Sequence, residues 1–243
     1  MLLATYLVTF GLFVLIFTRE VIAPASGATC DKRWQILAGS INAASLGAIV
    51  LAGFLFDRTL SQVSLLDLKG QIDPFSGGAL AFLASSFVAY WWHRLIHASD
   101  TLWRFVHQLH HAPRRIEALT AFYVHPVDAL LAALLNAGIA YGLLGVSGLS
   151  LAISLILVSV FDLVAHADQR TPQWLGYIIQ RPEMHRVHHQ HGHHKQNYGL
   201  PLWDTLFGTF ANPQTGPERC GFDDKRAARI KDMLLFRDVH KIR

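Results

Sequence analysis

Cysteine is nearly absent, with Cys30 and Cys220 the only two in 243 residues. That excludes a disulfide-stapled scaffold, a Cys-x-x-Cys redox pair and a four-cysteine iron–sulfur cluster within one chain. Charge is scarce too. Asp, Glu, Lys and Arg make up 16% of the residues and hydrophobic types 52%, where an average soluble protein carries about 25% charge. The deficit points to a bilayer. The net charge of +4 is a mild excess that suits anionic headgroups, and without clustered phosphate- and base-reading residues it implies no nucleic-acid partner. The sequence shows no Gly-x-Gly-x-x-Gly nucleotide loop, no haem-binding domain, no internal repeat and no low-complexity linker. Reducing equivalents, if needed, must come from a separate protein.

Long apolar runs are what the chain has instead. Residues 2–17, 34–56 and 74–92 carry no Asp, Glu, Lys or Arg, and two shorter runs follow at 129–145 and 147–161. A spanning helix needs roughly 20 apolar residues, so 34–56 and 74–92 read as full spans. The first run reads as a retained span, because no Lys or Arg precedes Arg19 to make the basic start of a cleaved signal. The last two, interrupted by Gly145 and Gly148, read as a helical hairpin that enters and returns, short of two full spans. The expected class is an all-α integral membrane protein with about four or five membrane-embedded helices and a cytoplasmic histidine-rich helical cap. Three regions are expected: N-terminal membrane helices over 1–74, a histidine-bearing region over 75–212 and a tail over 213–243. Basic residues after the first and third runs, and eight Lys and Arg in residues 212–243, put the tail and the histidines on the cytoplasmic side by the positive-inside rule. The tail stretch 222–236 reads either as an interfacial amphipathic helix or as a solvated one.

Histidine is spent in one part of the chain only. Of 14 histidines, none precedes His93 and 13 lie between His93 and His194. They fall into spaced groups: His93 and His97 in "HRLIH", His107, His110 and His111 in "HQLHH", and His185, His188 and His189 in "HRVHH". His125 and His166 stand singly. Side chains four apart share a helix face, whereas adjacent ones diverge by about 100°. Adjacent imidazoles therefore serve two neighbouring ions better than one. Two such triplets facing each other imply a dinuclear centre. A pH sensor would not require this repeated spacing, and "HQHGHH" (189–194) alone could be a loose metal-binding tract, leaving the roles of His191, His193 and His194 open. Eight to ten imidazoles exceed what structural or catalytic zinc needs. A soft copper site would favour Cys or Met, and only three Met are present. Di-iron and di-zinc remain open on spacing alone.

The ordered set of boxes among membrane runs, followed by "NYG" (197–199) and "WDTLFGT" (203–209), resembles the fatty acid hydroxylase / sterol desaturase superfamily of integral-membrane di-iron oxygenases. The likeness covers roughly residues 75–212. It implies two non-haem iron ions, replaceable by zinc on purification, held by His93, His97, His107, His110, His111, His166, His185, His188 and His189, with His125 of "YVHPVD" a tenth ligand. It also implies an O2-dependent oxidoreductase acting on a membrane lipid, a fatty acyl chain or a sterol. The chemistry would be hydroxylation of an unactivated C–H bond, or desaturation, with electrons from a ferredoxin or cytochrome-type donor. The rival of another class is a histidine-rich metal-binding or transport protein without oxygen chemistry. Ligand histidines usually donate their second nitrogen to a carboxylate or carbonyl, and the candidates are Asp204 first, then Asp128, Asp162 and Glu183. Similar proteins commonly carry Asn where Asp168 stands, and an Asp there could bond a ligand imidazole. Tyr198 and Gly199 are expected to turn the segment towards the site. Trp91, Trp92 and Trp103 are expected in an interfacial belt, and Arg94, Arg104 and Arg186 on phosphates or loop carbonyls.

Overall fold

The protein is described by a computed structural model over residues 2–26, 30–60, 64–193 and 195–241. Its helices are α1 (Leu2–Ile22), α2 (Lys32–Leu60), α3 (Pro74–Ala98), α4 (Asp100–Leu102), α5 (Ala118–Ala121), α6 (Pro126–Ala137), α7 (Gly148–His166), α8 (Pro182–His188), α9 (Pro201–Leu206), α10 (Asp224–Ala227) and α11 (Ile230–Leu234). One π-helical stretch, Trp103–His107, continues α4, and a second, Gly138–Leu143, continues α6. The described residues contain no sheet, only two isolated bridges.

Sequence explains where the helices start. Asp73 caps α3 by accepting from the Phe75 and Ser76 amides, and Ser147 caps α7 through the Ser150 amide. These side chains satisfy amides that a helix start leaves without partners. Proline opens α3, α6, α8 and α9, where its missing N–H is not needed.

Four helices are long and apolar enough to cross a membrane: Ala4–Ile22 in α1, Lys32–Leu55 in α2, Pro126–Leu143 and Gly148–His166. The pair expected as a short hairpin is thus two arms of spanning length, because the π-helical stretch carries α6 on past Ala137. α3 matches the run at 74–92 but is not among these four. It packs closely on α7. A β-carbon at Gly77 would come within 2.6 Å of Ser150 Oγ, and one at Gly78 within 2.6 Å of Ile153 Cγ2.

All five long helices meet at one end. There Glu20 of α1 accepts from the Ala118 and Asp168 amides, and Trp34 of α2 donates to Glu117. α3 ends in His93 and His97, α6 begins after His125, and α7 ends in His166. At the far end the Leu65 and Leu68 amides bond the Gly142 and Leu144 carbonyls, at 2.9 and 3.0 Å. The tail covers the histidine end: Gly221 N bonds the His189 carbonyl at 3.0 Å, and Gln108 Nε2 bonds Arg237 O at 2.8 Å. Histidines and tail therefore lie at the same end. The tail is neither a solvated nor a detached interfacial helix, because Phe222, Met233 and Val239 are buried in one core with Ala38, Ile41, Leu109 and Tyr123.

Candidate metal centre

The histidines converge into two adjacent groups. One holds His93, His97, His107, His111 and His188, the other His110, His166, His185 and His189; within each, the ligand atoms lie within 4.8 Å of one another. The elements dictate this sorting. His107 and His111, one turn apart, enter the five-histidine group, while His110 turns to the other. His185 and His189 enter the four-histidine group, while His188 turns back. Adjacent imidazoles diverge as helical geometry requires. The groups share a wall, since the His111 and His189 rings stack at 4.2 Å.

The donor chemistry fits cations. The Tyr198 carbonyl can only accept, so its 2.7 Å contact to His93 Nδ1 makes that nitrogen the protonated one and leaves Nε2 a bare lone pair. Asp128 Oδ2, 3.3 Å from His107 Nδ1, imposes the same tautomer. Yet the two Nε2 atoms stand 2.9 Å apart. Two imidazoles so held have no proton to share, and a cation between them resolves the contact. In the other group His166 Nδ1 donates to Asp162 O at 2.8 Å, and its bare Nε2 lies 2.9 Å from His185 Nε2 and 3.3 Å from His110 Nε2. Zinc–imidazole bonds run about 2.0–2.1 Å, so nitrogens at right angles about one ion sit about 3 Å apart. The spacing is that of a ligand shell.

Burial keeps the imidazoles in the ligating form. His110, His111, His185 and His189 are held well below the ordinary imidazole pKa, first by burial and then by neighbouring histidines. A neutral imidazole is what binds a metal.

Residues 78–209, more than half of the chain, match the fatty acid hydroxylase family. The chain belongs to that family. Sphingolipid C4-hydroxylase sur2 of Schizosaccharomyces pombe is 28% identical over 131 residues, covering 52% of this chain and 45% of the relative. Ornithine lipid hydroxylase OlsE of Rhizobium tropici is 36% identical over 141 residues, covering 55% and 41%. Very-long-chain aldehyde decarbonylase GL1-9 of Oryza sativa subsp. indica is 30% identical over 139 residues, covering 54% and 52%. The chain thus spans about half the length of these curated relatives. No solved structure matches it significantly.

Other family-implied residues are placed differently. His125 stands outside both groups: its Nδ1 accepts from Val127 N and caps α6, and its Nε2 faces Leu234 O at 3.3 Å. Asp128 reaches the five-histidine group, pairing with His107. Asp204 touches neither group; it takes the Tyr198 and Gly199 amides and the Thr209 hydroxyl, fixing the turn whose carbonyl holds His93. Burial pushes its carboxyl up to about 6. Asp168 binds the Ser26 amide and hydroxyl and lies 3.5 Å from Arg115. Glu183 accepts from Thr171 and pairs with Arg181. Arg94 lies over the Tyr90 and Trp91 rings, Arg104 over Phe105, and Arg186 donates to the Pro217 carbonyl. His191 meets the Gly221 carbonyl and His193 the Gln196 amide oxygen, away from both groups; His194 lies outside the described residues.

Sequence reasoning gave Trp103 an interfacial place and no place at the site. Its ring lies 5.1 Å from His97 and 5.0 Å from His111, against the five-histidine group. Its place four residues before His107, one helical turn away, was the available signal.

Proposed function

We propose that this chain is a membrane-bound di-iron monooxygenase that hydroxylates an unactivated C–H bond of a lipid. The balanced reaction is R–H + O2 + 2 e⁻ + 2 H⁺ → R–OH + H2O, with both electrons from a separate ferredoxin or cytochrome-type protein. The observation that carries this reading is the convergence of bare Nε2 lone pairs in two adjacent histidine groups. Family membership supplies the reaction type. Relatives named for hydroxylation of sphingolipid and ornithine lipid favour an acyl-chain lipid over a sterol.

His93, His97, His107, His111 and His188 would hold one iron, and His110, His166, His185 and His189 the other. When bound, the pair supplies the redox chemistry that no side chain here can perform. The protein's own part is positioning. Asp128 and the Tyr198, Asp162 and Gln196 carbonyls fix the tautomers and ring orientations of His107, His93, His166 and His188. The four-histidine group is fully buried, whereas His93 and His97 are half-buried. A substrate chain would therefore approach from the α3 side. Trp103 and Tyr198 flank His97 on that side.

The test is lipid analysis of cells with and without the gene, grown under 18O2, together with turnover of iron-loaded and zinc-loaded protein. A heavy-oxygen lipid formed only by the iron form is expected. A new double bond without label would indicate desaturation, and a chain shortened by one carbon would indicate decarbonylation. Altered cellular metal with unchanged lipids would contradict an enzymatic role.

A further inference from the structure

Two short segments of the histidine end turn large apolar side chains outward. Around the 3₁₀ turn Gln173–Tyr177, Trp174 is 62% exposed, Tyr177 70% and Ile178 68%; on α9, Leu202 is 47% and Leu206 62% exposed. The two segments abut. Charge is missing from both. None occurs between Thr171 and Gln180, and only Asp204, which is buried, between Tyr198 and Pro213. An apolar surface of this kind marks an interaction site.

Its place in the fold indicates the occupant. Trp203 Nε1 donates to Ser86 Oγ at 2.9 Å, and the Phe207 ring lies 4.8 Å from Trp91 and 6.2 Å from Phe87. α9 is thus docked on α3 between Ser86 and Trp91, below His93. α3 and α7 run side by side, with Gly77 against Ser150 and Gly78 against Ile153. Ser86–Trp91 is therefore level with the last turns of α7, which is itself a candidate span. The exposed face of α9 therefore lies at the level of a candidate span and not beyond its end.

We propose that Gln173–Ile178 and α9 lie in the plane of the membrane, with their apolar faces in the phospholipid acyl region and the Trp174 and Tyr177 rings at headgroup level. Amphipathic rings prefer that depth, and in-plane segments bind by the apolar area they immerse. A soluble protein partner is disfavoured by the missing charged rim and by the level of α9 on α3. This seat does not depend on the metals or on the reaction. It brings acyl chains up to the α3 face that ends in His93 and His97.

The test uses the full chain in phospholipid nanodiscs. Trp174 emission is read as the difference between wild type and Trp174→Phe, with phospholipid brominated near the top of its acyl chains as one quencher and aqueous acrylamide as the other. Brominated lipid should remove most of that difference signal, and acrylamide little of it. Leu206→Trp on the Trp174→Phe background should gain a component quenched in the same way, which guards against a local distortion at residue 174. Quenching by acrylamide and not by brominated lipid would make the patch an aqueous surface and overturn the proposal. Insensitivity to both, with two copies per nanodisc, would make it a contact between copies and overturn it equally.

Discussion

The two histidine groups are built from the same residue type, yet they differ in how they are supported and enclosed. The four-histidine group is sealed: all its members are buried, and His166 is held by a main-chain carbonyl of its own helix. The five-histidine group has two half-buried members on α3, aromatic neighbours in Trp103 and Tyr198, and partners from elsewhere in the chain, Asp128 and the turn anchored by Asp204. His166 is thus held within its own helix, whereas His93 and His107 are held by partners from elsewhere in the chain. Substitutions should therefore separate the two groups.

The largest effects belong to the ligands. His111→Ala and His189→Ala should each drop iron content from two per chain to one or fewer, with turnover lost by a factor on the order of 10² or more, above the 10–100-fold typical of residues behind the ligands. His193→Ala and His240→Ala should leave both unchanged. Metal analysis and lipid turnover on the same preparations check this, and intact metal and activity after changes in both groups would refute a dinuclear centre.

Next come the partners. Asp128→Asn should weaken ion binding in the five-histidine group by about 10–100-fold while the other ion stays. Asp162→Asn should leave metal binding intact, because His166 uses the Asp162 main-chain carbonyl. Competition with a graded chelator would show one ion lost first in Asp128→Asn and no early loss in Asp162→Asn. Smaller again is His125→Ala. It should keep both ions and lose about 1 kcal/mol of stability, the usual worth of a helix cap, read from chemical denaturation in detergent.

The smallest effect is a pH dependence. Burial raises the Asp204 carboxyl from its ordinary 3.8 to about 6, so between these values the folded state holds a proton that the unfolded state releases. Stability from this group is present below pH 3.8, falls as pH rises through that window and is gone above about 6. The melting temperature of wild type relative to Asp204→Asn should therefore be higher at pH 5 than at pH 7.5. An equal difference at both would show that Asp204 is ionised throughout.

The same contrast explains what was legible in the sequence. Helical spacing already divides adjacent histidines, so the opposite turns of His110 and His111, and of His188 and His189, follow from local geometry. Long apolar runs likewise marked the membrane helices. Features that depend on distant packing were not legible. The pairing of Asp128 with His107 joins residues on separate helices, and nothing local distinguishes Asp128 from Asp204. His125 has a ligand's chemistry, but its ring turns back to cap α6. Burial of Met233 and Val239 depends on α2 and α5 offering a complementary surface. The weak periodicity of the tail did not carry that information. In the hairpin, Gly145 and Gly148 do mark the turn between the arms, and the extra length comes from the π-helical continuation of α6 to Leu143 and from α7 running on to His166.

Anomalous diffraction at the iron edge, from crystals of iron-loaded protein, tests the division into two groups most directly. Two peaks are expected, one among His93, His97, His107, His111 and His188 and the other among His110, His166, His185 and His189. A single peak, or iron bound at His191 and His193 with these groups empty, would contradict it.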